Sequence, residues 1–194
     1  KKYFNQDIFF KTLLAKKKDP RISREYKKIL KYKKMIKFIY QNKPKGTGDA
    51  VLKCKKFIKD SHFLLLLPDD LIINKNCSKE MIKIHNKLNC SVIASKKVKR
   101  KNVSRWGILK GKKISKDKFS IQDVVEKPSI NAAPSNFAII GRYVLPKKIF
   151  KFLPHVKRGR DGEFHITDAI KNLIHNNDKF IGYFFKGKYL DCGS

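Results

Sequence analysis

The sequence predicts an α/β layer fold, with a mixed, mostly parallel sheet flanked by helices. Three observations carry that reading. Short apolar runs of strand length alternate with segments of helical spacing along the chain. His62–Leu67 is an unbroken apolar run ending at Pro68-Asp69-Asp70, as expected of a strand covered on both faces in a parallel sheet. In the middle, Trp106–Leu109 and Phe119–Val125 read as two strands about the turn Gly111-Lys112-Lys113, which makes the sheet mixed.

Residues 1–40 read as basic and helical. Ile8, Phe9, Leu13 and Leu14 form one apolar face, continued at similar spacing by Ile29, Tyr32 and Ile36. Phe38–Gln41 reads as a short strand. Pro44, Gly46 and Gly48 punctuate a loop, after which Ala50, Val51, Cys54, Phe57 and Ile58 recur at helical spacing. Beyond the Leu-rich strand, Ser78 is placed to cap a helix whose apolar set is Met81, Ile82, Ile84 and Leu88. Cys90–Val98 is the next strand. After the paired strands, Pro128 stops the second, Asn136–Val144 forms another, and Pro146 marks a helix start. Thr167–Ile174 is amphipathic and helical, and Phe180–Phe185 and Lys188–Leu190 read as strands. Neither repeats nor low-complexity linkers interrupt the 194 residues, so one domain over 1–194 is expected.

With 41% hydrophobic residues, the chain can bury a sizeable core, which excludes whole-chain disorder. No apolar run approaches the roughly 18 residues that a membrane helix needs, so a soluble protein with no membrane partner is expected. Lys1-Lys2-Tyr3-Phe4 contains neither an initiator Met nor a secretion-signal layout, and reads as a cut end. Cys54, Cys77, Cys90 and Cys192 form no C-x-x-C pair and suit no zinc-finger spacing, so a reducing cytoplasm is the simplest compartment.

A formal charge of +31 raises the question of nucleic-acid binding. Its distribution argues against that class. Lysines far outnumber arginines and are spread over nearly every segment, whereas base readout and bidentate phosphate clamps favour arginine and an aromatic-lined patch. The positive field suits small anionic substrates.

In α/β sheets, ligands bind beyond the carboxyl ends of strands. Three polar groups stand there: Asp69 and Asp70 after the Leu-rich strand, Glu126-Lys127 after Val125, and Asp191 after Leu190. Each has a plainer reading, because acids after strands also serve as caps or turn formers and a Glu-Lys neighbour pair is commonly solvated. Mg²⁺ takes oxygen ligands, often one or two carboxylates with substrate phosphates, and Asp69 and Asp191 fit that role. Lys127 offers a point charge for a phosphate and Glu126 acceptors for sugar hydroxyls. The loop Gln41–Gly48 lets backbone approach a flat ring, while the Gln41 amide can pair with a pyrimidine edge; on spacing alone it also reads as a strand-to-helix turn.

Taken in order, these segments resemble the bacterial UTP-glucose-1-phosphate uridylyltransferases. The matching stretches are QNKPKGTGDAV from Gln41, LPDD from Leu67, VEKP from Val125, APSNFAIIGRYVL from Ala133, GEFHITDAI from Gly162 and KGKYLDCG from Lys186. The similarity runs from Gln41 to the last residue and implies a Rossmann-like nucleotide-diphospho-sugar transferase fold. By that resemblance Gln41 and Gly46 bind the uracil, Asp69 and Asp191 hold Mg²⁺, and Lys127 holds the sugar phosphate. Glu126, the backbone of Gly107, and Asn136 contact the glucose, while Thr167 and Asp168 read mainly as a helix start with its cap.

The implied reaction is in-line attack of the glucose 1-phosphate oxygen on the α-phosphorus of UTP, giving UDP-glucose and pyrophosphate without a protein nucleophile. The resemblance also implies a homo-oligomer at full length. Thr47 and Asp49 stand where the family usually has Leu and His, which keeps thymidylyl- and N-acetylglucosamine-phosphate uridylyltransferases open as alternatives. The family's glycine-rich loop, with its Arg and Lys, has no counterpart here, so the chain is expected to lack the family's start and end, to bind UTP poorly and to be poorly stable.

Overall fold

A computed structural model describes residues 11–12, 16, 19–159 and 161–193. The chain divides into two compact units, residues 1–42 and 43–194. In the first, helix α1 spans Pro20–Lys33; Asp19 accepts from Arg21 N–H, and Pro20 suits the first turn because its missing N–H would be unsatisfied there anyway. No residue of α1 is buried, and Tyr32 and Ile36 are exposed. Ile8, Phe9, Leu13 and Leu14 lie outside the described residues. The expected strand Phe38–Gln41 is irregular, since a short apolar run favours extended backbone without specifying a ladder partner.

The second unit is built on a six-stranded sheet: β1 (His62–Leu66), β3 (Ser91–Lys97), β4 (Ile108–Lys113), β5 (Lys118–Val125), β6 (Phe137–Pro146) and β7 (Phe180–Phe184). Their order is β1-β6-β3-β7-β5-β4, and the start of β4 also pairs with β6, Ile108 opposite Ala138 and Leu109 opposite Phe137. A two-stranded ribbon joins β2 (Asp70–Ile73) to β8 (Lys188–Asp191). Helices α2 (Thr47–Lys53), α3 (Cys77–Leu88) and α4 (Ile166–His175) complete the unit. Side chains alternate across a strand, and here that alternation separates two cores. Ile93, Tyr143 and Leu145 enter one with Ile166, Ala169, Ile170 and Leu173; Val92, Ala94 and Val144 enter the other with Met81.

The sheet is mixed, as expected, but not mostly parallel. Among the described strands only β3 and β7 pair in parallel. The Leu-rich β1 is covered on both faces, with Phe63 and Leu65 toward one core and Leu64 toward the other, but it pairs antiparallel with β6 and leaves Leu66 exposed. An apolar run encodes burial, and strand direction follows from connections that the run does not record. The expected turn Gly111–Lys113 lies inside β4 opposite Phe119–Ile121, at a register shift. Gly111 is required there because a Cβ would stand 2.3 Å from Ser120 O. The reversal falls at Ile114–Asp117, where Ser115 donates to the Asp117 carboxylate. Asn76, not Ser78, caps α3 by accepting from Lys79 N–H.

Gly182 in β7 tests this packing. A Cβ there would lie 2.1 Å from the ring of Phe119, which is 1% exposed and packed against Phe137 and Phe184. With no free volume to take a methyl, Gly182→Ala is expected to cost about 1–3 kcal/mol. Urea unfolding of the two forms measures it, and an unchanged midpoint would contradict the packing.

Candidate active site

The turn after β1 is held open from behind. The Arg142 guanidinium donates to the carbonyls of Leu67, at 2.6 Å, and Asp70. Asp70 accepts from Gly141 N–H at 2.8 Å and from the Tyr189 hydroxyl. A Cβ on Gly141 would stand 2.4 Å from that Asp70 oxygen, so glycine is needed for the approach. Of the two aspartates, Asp70 therefore fastens β2 and β8 to β6, and Asp69 is left at the mouth of the cleft.

The ribbon brings the end of β8 beside this turn, Asp70 opposite Asp191, and Cys192 N–H donates to Asp69 O at 2.8 Å. A Cβ built on Gly193 would lie 3.2 Å from Asp69 Oδ2 and 3.4 Å from Asp191 Oδ1. The two carboxylates, far apart in sequence, thus converge on one small volume. Asp191 Oδ2 is bonded by Arg105 at 3.0 Å, and that guanidinium stacks 4.9 Å from the Trp106 ring.

A cleft of about 270 Å³ opens between Asp69 and the start of α4. Asp69, Arg105, Gly107, Glu126, Lys127 and Thr167 are among its lining residues. Glu126 leaves the end of β5 and accepts from Thr167 Oγ1 at 2.8 Å. Gly107 packs on that pair: a Cβ would stand 3.0 Å from Glu126 Oε2 and 3.1 Å from Thr167 Cγ2. Lys127 adopts φ 40°, a left-handed conformation uncommon for lysine, with its N–H bonded to Trp106 O at 3.1 Å. Its ammonium meets Asp161 Oδ2 at 2.9 Å. That hydrogen bond is the main reason the ammonium is held above the usual lysine range, and the Asp161 carboxyl is correspondingly held far below its own.

The cleft is acid-rich in a strongly basic chain, with Asp69, Asp70, Glu126 and Glu163 facing Arg105 and Lys127. Burial pushes the Tyr143 phenol up, and Glu126, Asp70 and Asp69 push it the same way. Carboxylates thus outnumber Arg and Lys in this lining, which suits an anionic ligand best when a cation accompanies it.

The glycine loop is fixed to the same region. Gly46 has φ 99°, and a Cβ there would stand 2.7 Å from Phe164 O. Phe164 N–H donates to Lys45 O and Gly48 N–H to Phe164 O, both at 2.8 Å, while Ile166 N–H donates to Thr47 Oγ1 at 3.3 Å. Thr47 reaches the cleft lining.

Asp69, Gly107, Glu126 and Lys127 thus line one cleft, with Asp191 converging on Asp69. Asn136 does not join them: its side chain donates to Val98 O at 3.1 Å, which ties together the ends of β3 and β6. Gln41 belongs to the first unit. Thr167 is no cap, since α4 begins after His165 without a side-chain cap, and its hydroxyl serves Glu126 instead. Sequence reasoning missed Arg105, Tyr143, Asp161 and His165. Arg105 ends a short 3-10 helix, Arg100–Arg105, that the sequence does not announce; Asp161 sits in a loop without pattern, and Tyr143 is hidden in an apolar strand.

Comparison with known proteins gives a consistent picture. The chain is 39% identical over 153 residues to the UTP–glucose-1-phosphate uridylyltransferase of Pseudomonas aeruginosa, covering 77% of this chain and 54% of that one. It is 38% identical over 165 residues to the enzyme of the same name from Streptococcus pyogenes, covering 81% and 54%. The chain thus spans about half the length of the curated relatives it matches. A crystal structure of UDP-glucose pyrophosphorylase complexed with UDP-glucose superposes with TM-score 0.77 at 35% identity, covering 88% of this chain and 68% of that one. The UTP-bound enzyme of Acinetobacter baumannii gives 0.74 at 30%, covering 100% and 67%. The family model described as nucleotidyl transferase matches residues 4–194, and the chain belongs to that family.

Proposed function

We propose that the whole protein transfers a uridylyl group from UTP to glucose 1-phosphate, releasing pyrophosphate and giving UDP-glucose. The observation that carries this reading is the meeting of Asp69 and Asp191 about Gly193, in a chain whose cleft also presents Glu126 and Lys127. The names of the relatives support the substrates.

Glu126, steadied by Thr167, accepts hydrogen bonds from sugar hydroxyls, and Gly107 leaves the ring room to lie against it. Lys127 places its ammonium on the sugar phosphate. In the second unit, Gly46 is the residue offered to the uracil. Two carboxylates brought to either side of Gly193 offer the hard oxygen donors that Mg²⁺ takes, so Asp69 and Asp191 are the residues that would hold it. When bound, it supplies charge neutralisation on the nucleotide phosphates. The remaining contribution is positional: two anions are held in line against their repulsion, and no side chain forms a covalent intermediate.

No helix among the described residues is long and apolar enough to cross a membrane. The cytoplasmic setting and the homo-oligomer belong to this proposal.

A competition assay tests the substrates. With UTP and dTTP together, and glucose, galactose and N-acetylglucosamine 1-phosphates supplied in turn, the whole protein should form UDP-glucose in excess of every other product. Preferential use of dTTP or of N-acetylglucosamine 1-phosphate would move the assignment to a sister activity.

A further inference from the structure

We infer that Asp161 is a positioning residue for the phosphate site, an internal carboxylate that occupies the Lys127 ammonium until an incoming phosphate takes its place. The inference rests on the reading of Lys127 as the phosphate-binding group.

The geometry is built on both sides of the carboxylate. Gly162 N–H closes a turn onto Gly159 O at 2.9 Å, and Gly159 N–H donates to Glu163 O at 2.8 Å, so Asp161 stands at the tip of a closed loop. Its Oδ1 accepts from Glu163 N–H at 3.2 Å and lies 2.8 Å from Nε2 of His165, which is 8% exposed. Only Oδ2 is given to Lys127, at 2.9 Å. One oxygen anchors the residue to the loop and to a buried imidazole, while the other holds the ammonium. Lys127 can therefore leave without Asp161 losing its seat, which is the asymmetry a displaceable partner requires.

The charges around Lys127 point the same way. Asp161, Glu126 and Glu163 all raise its proton affinity, so the ammonium stands among three carboxylates in the resting arrangement. A phosphate arriving there meets repulsion as well as attraction. The nearest carboxylate contributes most, because the interaction falls with distance. Removing the Asp161 charge while keeping its shape should strengthen phosphate binding at Lys127. Structural damage alone would not produce that gain.

The test is titration of the whole protein with inorganic phosphate by calorimetry, comparing wild type, Asp161→Asn and Lys127→Ala. Asp161→Asn is expected to bind phosphate about three- to tenfold tighter, the range set by an exposed ion pair and one charge-assisted hydrogen bond. Lys127→Ala should lose the binding. Asp161→Ser, which keeps an acceptor for Glu163 N–H, provides a second neutral variant and should behave as Asp161→Asn does. Unchanged or weaker affinity in both neutral variants, with Lys127→Ala still losing phosphate, would overturn the inference and leave the reading of Lys127 standing. Wild-type affinity in Lys127→Ala would overturn both.

Discussion

Lys127→Ala in the whole protein is expected to lower turnover about 10²–10³-fold, the usual cost of removing a group that stabilises charge on the reacting phosphates. The expectation follows from the charge inventory of the cleft. Its lining carries an arginine and a lysine, each engaged by a carboxylate: Arg105 by Asp191 at 3.0 Å and Lys127 by Asp161 at 2.9 Å. On the proposed reading, Lys127 is the one whose ammonium passes to the sugar phosphate. Lys127→Arg should not restore the rate. A guanidinium is wider and planar, and it would have to leave a backbone held at φ 40° by the bond to Trp106 O. Pyrophosphate release under steady state measures both variants, and turnover within threefold of wild type for Lys127→Ala would remove the lysine from the mechanism. Binding of the sugar phosphate should weaken along with turnover, whereas affinity for the free nucleotide should change little.

Much of the scaffold was legible because periodicity records burial. The strands from Cys90, Asn136 and Phe180, and the helix about Thr167–Ile174, appear within a residue or two of expectation. Direction was not legible. The run His62–Leu67 reads as a strand of a parallel sheet, yet β1 pairs antiparallel with β6, because an apolar run does not record the connections that set strand direction. Placement at the candidate cleft was readable where a polar residue follows a strand, as with Asp69, Glu126 and Lys127, and beside it with Asp191. It was unreadable where a side chain is recruited from an unpatterned loop, as with Asp161, or where one residue type serves two purposes. Asn136 illustrates the second case: its amide donates to Val98 O where β3 and β6 adjoin, a contact that the strand pattern does not announce. Thr167 is its converse, a residue of helix-start type whose hydroxyl is spent on Glu126.

Asp69→Asn and Asp191→Asn should each lower turnover about 10²–10³-fold at fixed Mg²⁺, and the double variant should lose little more than either single one. If the two oxygens share one ion, removing either donor dismantles the same interaction, and effects within one coordination shell do not add. Independent roles would instead multiply, so the ratio of double to single variant distinguishes the cases. Asp70→Asn provides the internal control. Asp70 adjoins Asp69 in sequence, but it is bonded to Gly141 N–H and the Tyr189 hydroxyl, so its loss should reduce stability by about 1–3 kcal/mol without changing the Mg²⁺ concentration needed for half-maximal rate. Asp191→Asn has one consequence that Asp69→Asn lacks: it weakens the hold on Arg105, whose ion pair with Asp191 spans 86 positions of the chain. A higher Mg²⁺ requirement in both variants, with weaker protection of the Arg105 loop from trypsin in Asp191→Asn alone, would separate cation binding from loop anchoring. Equal Mg²⁺ dependence in wild type and Asp69→Asn would take the cation away from this pair of acids.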